Sequence, residues 1–165
     1  MARQHIDVFF HAARIAAVIA ALMSIAAMPA NATATTERIV VDPQTGVAIG
    51  GYDPVAYFTD GRARRGEDRY ALEWAGAIWL FANEGNRAVF RAAPEVYAPR
   101  YGGYGALTVS RGYAARGEPT LWRIYEDRLY LFFSVANRVA WEFTPDSAIA
   151  DADKNWPELI KRLAR

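Results

Sequence analysis

The chain has 165 residues, long enough for one sizeable core and too short for two ordinary domains once a leader is set aside. Its 19 basic residues nearly balance 18 acidic ones, which excludes the positive excess of a nucleic-acid binder. Cysteine is absent, and both histidines (His5, His11) and all three methionines (Met1, Met23, Met28) fall near the start. The rest therefore has no soft ligand for copper, zinc, iron–sulfur or His-ligated haem, and no imidazole base.

Arg3 and Arg14 give a basic start, and Ile15 to Met28 is apolar except for Ser24. Ala30-Asn31-Ala32 then matches the small-x-small pattern behind which signal peptidase cuts. A membrane-spanning helix needs about 20 apolar residues, more than this run supplies. Residues 1–32 are expected to be a signal peptide cleaved near Ala32, with no stable membrane anchor and a periplasmic or secreted mature chain. Beyond it, 17 basic residues face 17 acidic ones. Five Trp, nine Tyr and six Phe must supply the core packing that disulfides would otherwise reinforce.

Residues 33–47 read as a polar lead-in and a turn, with Ile39-Val40-Val41 and Val47-Ala48-Ile49 flanking Asp42-Pro43-Gln44-Thr45-Gly46. Asp53-Pro54 predicts a helix start, Asp53 as cap and Pro54 at the first helical position. Tyr70 to Trp74 and Ala77 to Phe81 predict a hairpin turning at Ala75-Gly76. Asn83 predicts the cap of a helix through Asn86, Val89 and Phe90, with Pro94 near its end. Leu121 to Tyr125 and Leu129 to Phe133 predict a second hairpin, turning at Glu126-Asp127-Arg128. Ser134 predicts the cap of a helix running through Val135, Val139 and Trp141 to Pro145. Residues 146–165 predict a C-terminal amphipathic pair of segments broken at Trp156-Pro157, with Leu159, Ile160 and Leu163 as an apolar stripe. Hairpins alternating with short helices predict a small single α+β domain, an antiparallel sheet of hairpins packed with short helices. No internal repeat or low-complexity tract stands out.

Gly51-Tyr52-Asp53-Pro54-Val55-Ala56-Tyr57-Phe58 resembles the opening motif of exported bacterial proteins carrying a YHS domain. Trp79-Leu80-Phe81-Ala82-Asn83-Glu84-Gly85-Asn86, on to Phe90, Pro94 and Tyr97, is similar to the YHS core. Ala98-Pro99-Arg100-Tyr101-Gly102-Gly103-Tyr104 resembles the segment that follows it in the same subfamily. The resemblance places a YHS-like domain over residues 48–145 and extends more loosely to Asn155-Trp156-Pro157. YHS domains are associated with copper-transporting ATPases and some hydroxylases, where paired cysteines are implicated in metal binding. Those cysteine positions fall on Ala82 and Asn86, and a third, used in the exported subfamily, on Gly105. None can act as a thiolate, so the resemblance implies no metal and no cofactor here.

Asp146, Asp151 and Asp153, like Glu126-Asp127, lack the spacing and glycine of a calcium loop. A carboxylate pair drawn from Asp53, Glu73, Glu84 and Glu95 would allow glycoside chemistry. Gly102-Gly103 with Gly105 lacks the following lysine of a phosphate loop. The expected function is a non-catalytic binding or interaction module with an aromatic-lined cleft built from Tyr52, Asp53, Trp79, Arg100, Tyr101 and Tyr104. Its expected partner is a small molecule or an envelope protein. The alternatives are a carboxylate-based enzyme on an envelope saccharide, or a degenerate metal-domain descendant with a structural role.

Overall fold

The computed structural model describes residues 38–163. The expected leader and its cleavage site lie outside the described residues. Val41 pairs with Ala48 across a turn that Asp42 organises by accepting from the amides of Gln44 and Thr45 and from Thr45 Oγ1, at 2.9–3.0 Å. A short helix α1 (Ala56–Thr59) precedes strands β1 (Glu67–Trp74) and β2 (Ala77–Phe81). Helices α2 (Glu84–Ala92), α3 (Pro94–Tyr97) and α4 (Ala106–Ser110) follow. Strands β3 (Glu118–Tyr125) and β4 (Arg128–Phe132) then lead to α5 (Val135–Phe143) and α6 (Pro145–Leu163). The domain is α+β, and its antiparallel strands form two separate two-stranded sheets rather than one.

Both hairpins close on two residues with positive φ, Ala75 (51°) and Gly76 (76°) in the first, Glu126 (47°) and Asp127 (53°) in the second. That backbone matches the right-handed twist of the flanking strands. Arg128, expected in the second turn, is already in β4 opposite Tyr125. Asn83 accepts from the Asn86 amide (2.8 Å) and Ser134 from the Asn137 amide (3.2 Å), each satisfying a donor left over at its helix start. Pro94 opens α3 rather than ending α2, because α2 stops at Ala92.

The two hairpin-and-helix segments are copies of one unit, which corrects the expectation of no internal repeat. Every strand pair recurs 51 positions on: Glu67–Phe81 as Glu118–Phe132, Leu72–Trp79 as Arg123–Tyr130, Glu73–Ile78 as Ile124–Leu129, Trp74–Ala77 as Tyr125–Arg128. Arg-Gly-Glu leads into each first strand, at Arg65 and at Arg116. Phe90 meets Trp74 at 5.6 Å and 88°, and Trp141 meets Tyr125 at 5.6 Å and 87°. Trp79–Phe90 and Tyr130–Trp141 both lie at 5.2 Å, tilted by 34° and 39°. What persists is role rather than residue: Trp79 becomes Tyr130, Asn83 becomes Ser134, Phe90 becomes Trp141. Packing and capping tolerate such swaps, and letter matching does not detect them.

The units share β4, whose alternating side chains serve two cores. Leu129 and Leu131 join Tyr57, Trp79, Phe81 and Phe90, whereas Tyr130 and Phe132 join Tyr104, Val109, Trp141 and Leu159. The C-terminal segment belongs to this second core through Ala148, Ala152 and Leu159. It is one helix with Pro157 inside it, not the broken pair expected at Trp156-Pro157. An interior proline costs a helix about 3 kcal/mol. Burial of that face offsets the cost, as do the bonds Asn155 Nδ2 donates to the carbonyls of Val109 (3.3 Å) and Ser110 (2.9 Å).

Several phenols are tied into this packing. Tyr125 Oη donates to Asp146 at 2.6 Å, and that bond, helped by burial, pushes its pKa up to about 12 from the ordinary 10.0. Burial chiefly raises Tyr57 and Tyr101 as well. Groups raised on folding contribute stability that is complete below the unfolded value and lost as pH climbs through the folded one. Thermal melts should hold up to pH 10 and fall between 10 and 12, and Tyr125→Phe should flatten its share of the fall. An unchanged midpoint across that window would contradict these contacts.

Candidate functional site

A cleft of about 340 Å³ opens between the tip of the first hairpin and the second half of α6. Trp74 and Ala75 reach it from the hairpin, Glu95 from α3, Arg100 and Tyr101 from the turn Arg100–Gly103, and Trp156 and Ile160 from α6. Trp156 and Ile160 are four residues apart, so they share one helical face. Arg38 and Ile39 close another side. That side depends on Gly102, which has φ 62° and whose carbonyl accepts from the Val40 amide at 2.8 Å. A Cβ on Gly102 would sit 1.7 Å from the Arg38 carbonyl oxygen, so only glycine lets the two backbones meet.

The polar groups divide into tied and free. Asp153 Oδ1 accepts from Arg100 Nη2 at 2.7 Å and from Tyr101 Oη at 3.0 Å. Burial pulls the Arg100 pKa down, and the Asp153 carboxylate more than offsets it, so the guanidinium stays charged. Arg100 also lies over the Tyr101 ring, 5.4 Å from its centre. Trp156 packs on Tyr101 and on Tyr104, both at 5.8 Å. Trp79, only 1% exposed, forms the floor and donates from Nε1 to the Trp74 carbonyl at 3.1 Å. Among the described residues, neither the Arg38 guanidinium nor the Glu95 carboxylate has a hydrogen bond or ion pair.

Of the residues expected to build a cleft, Trp79, Arg100 and Tyr101 come together here, and Tyr52, Asp53 and Tyr104 do not. Tyr52 is half-buried elsewhere, under the Arg65 guanidinium at 4.8 Å. Tyr104 stands behind Trp156 and is buried. Asp53 is fully buried and accepts from the amides of Val55 (2.8 Å), Ala56 (3.3 Å) and Ala82 (2.8 Å) and from Asn86 Nδ2 (2.6 Å). It caps the turn into α1, as its place before Pro54 suggests, and has no free lone pair facing a ligand. In the sequence Ile39 flanks a turn, Trp74 ends a strand, Ile160 belongs to an apolar stripe, Trp156 marks a helix break and Glu95 is one of a carboxylate pool. None of these roles marks them, or Arg38, as cleft residues. The i, i+4 spacing of Trp156 and Ile160 was the available signal.

Ala82 and Asn86, two of the positions where the YHS resemblance would expect cysteine, belong to a hydrogen-bonded cluster around Asp53. The Ala82 amide and the Asn86 side chain both point at Asp53 Oδ2, and a Cβ on Gly105 would meet the Phe133 amide nitrogen at 3.0 Å. Among the described residues, no three His, Cys, Asp or Glu side chains gather as a metal site would require. Titration of the chain from Thr33 onward with Cu(I) or Zn(II) is expected to show no site as tight as about 1 μM. One-equivalent uptake at nanomolar concentration would contradict that.

A second cleft, of about 370 Å³, is lined by Asp42, Arg116, Glu118 and Phe133 among others. Its polar groups are already engaged: Asp42 accepts three local bonds, Arg116 donates to the Val41 carbonyl, and Glu118 accepts from Thr120 Oγ1. The carboxylates that could drive hydrolysis are scattered, with Asp53 buried, Glu73 exposed on β1, Glu84 paired with Arg87 and Arg91, and Glu95 alone in the first cleft. No helix among the described residues is long and apolar enough to cross a membrane. Comparison with protein-family models, curated proteins and solved structures finds no match to this chain.

Proposed function

We propose that the domain is a non-catalytic binding module that holds a small ligand between Trp74 and Trp156. The observation that carries this is a concave, ring-walled space whose charged groups, the Arg38 guanidinium and the Glu95 carboxylate, have no hydrogen bond or ion pair among the described residues. Its size lies at the small end of ligand sites, and rings with a few convergent polar groups are what such sites use. A lone carboxylate in the cleft favours holding over hydrolysis, since glycoside cleavage needs a facing pair. An exported, YHS-like origin remains part of the proposal. It is supported by the order of an aromatic hairpin, a helix capped by Asn83, and then Pro94 and Tyr97.

The test is native mass spectrometry of protein isolated from its own compartment. A discrete non-covalent adduct, lost in Trp156→Ala, is the expected result. Bare chain in both proteins, with tryptophan emission unmoved by extract of that compartment, would refute the proposal. A second reading, a structural part of a larger assembly, is favoured by α5, where Val135 (55% exposed), Val139 (42%) and Phe143 (81%) form one outward stripe. Under that reading Val139→Asp would release the protein from a complex, and cleft variants would not.

A further inference from the structure

We infer that the ligand is a hydroxylated ring acid, a ring compound carrying both a hydroxyl and an anionic group; this deepens the binding reading and rests on it. The two copies of the unit supply the argument. Trp74 and Glu95 of the first copy occupy the places of Tyr125 and Asp146 in the second, 51 positions on. In the second copy the pair is joined, Tyr125 Oη donating to Asp146 at 2.6 Å. In the first copy the indole has no hydroxyl to offer, the Glu95 carboxylate has no hydrogen bond or ion pair among the described residues, and both residues line the cleft. The framework thus keeps the acceptor but has no phenol reaching it. A ligand hydroxyl held beside Trp74 would take the role that the Tyr125 phenol fills in the second copy.

The remaining charges select the other end of the ligand. Arg38 has no counter-ion among the described residues, and Arg100, held on Asp153 by one nitrogen, is still 39% exposed. Guanidinium groups favour carboxylate or phosphate oxygens through charge-assisted, often two-point hydrogen bonds. Between these ends the walls are Trp74, Tyr101, Trp156 and Ile160, which suit a ring body. An aromatic hydroxy acid and a sugar acid share all three features.

The test is titration of the mature chain, read by tryptophan emission and heat, with 4-hydroxybenzoate, benzoate, 4-hydroxybenzamide, glucuronate and glucose. One acid, aromatic or saccharide, should bind about tenfold or more tighter than its analogue lacking the hydroxyl or the charge. Glu95→Ala should abolish the preference for the hydroxyl, and Arg38→Gln should remove most of the preference for the anion. Neither side chain has a hydrogen bond or ion pair to lose among the described residues, so both variants should melt like the parent, which confines their effect to the cleft. Measurable but equal binding of benzoate and 4-hydroxybenzoate, or of an acid and its uncharged analogue, overturns the ligand class while leaving a ring-binding cleft. Silence from all five at about 10 mM also overturns the class. The native mass then decides the binding reading separately.

Discussion

Asp53→Ala should lower the melting temperature by roughly 10–20 °C in a domain of this size. The carboxylate is fully buried and receives four donors, from Val55, Ala56, Ala82 and Asn86. It thereby fastens the turn into α1 to the end of β2 and the start of α2. Removing it leaves three buried amides and the part-buried Asn86 side chain without that acceptor, a loss of about 3–5 kcal/mol. Whole domains are stable by only about 5–15 kcal/mol, so this change alone brings the protein close to unfolding. Asp53→Asn keeps the shape but turns an NH₂ group toward donors, and should lose most of the same stability. Asp151→Ala, at an exposed position, should stay within about 0.5 kcal/mol. Circular-dichroism melts decide it. A Asp53→Ala protein that melts like wild type but no longer binds ligand would return Asp53 to the binding site.

Gly66→Ala and Gly117→Ala should each cost about 3 kcal/mol or more, at the upper end for overpacking, because the clashes involve backbone. These glycines sit in the repeated Arg-Gly-Glu segments. A Cβ on Gly66 would fall 2.3 Å from the Leu80 carbonyl carbon; on Gly117 it would fall 2.6 Å from both the Gly103 carbonyl oxygen and Leu131 Cβ. Each glycine also donates its amide to a glycine carbonyl, Gly66 to Gly51 and Gly117 to Gly103, both at 2.9 Å. Gly61 provides the comparison: its φ is +62° and a Cβ there meets nothing, so Gly61→Ala should show left-handed strain alone, about 1 kcal/mol. Urea unfolding midpoints measure all three. Near-equal costs at all three positions would show that the close approaches in the two copies are not what those glycines serve.

Local signals in the chain carried far. Turn residues placed both hairpins, and Asn83 and Ser134 placed two helix starts, because these features depend on bonds spanning two or three residues. What stayed hidden depends on distant partners. Pro157 reads as a break in isolation, yet burial of Ala152 and Leu159 holds the helix through it. The duplication was hidden because Trp79 and Tyr130, or Phe90 and Trp141, keep volume and orientation without keeping identity. The cleft was half legible. Trp79, Arg100 and Tyr101 stood in suggestive company, but Trp74, Trp156 and Glu95 reach it from three separate elements that only tertiary packing brings together. Asp53 misled because a buried cap and a ligand-facing acid look alike in one dimension.

The chain has five tryptophans, and only Trp74, Trp79 and Trp156 border the cleft. Trp122 packs on Tyr57, and Trp141 occupies the second core. Fluorine NMR of protein labelled with 5-fluorotryptophan, recorded as ligand is added, therefore locates binding in one spectrum. The expected result is movement of the Trp74 and Trp156 resonances, with Trp79 following, while Trp122 and Trp141 stay still. Movement at Trp141 or Trp122 with Trp74 and Trp156 unchanged would place the ligand outside this cleft and contradict the proposed function.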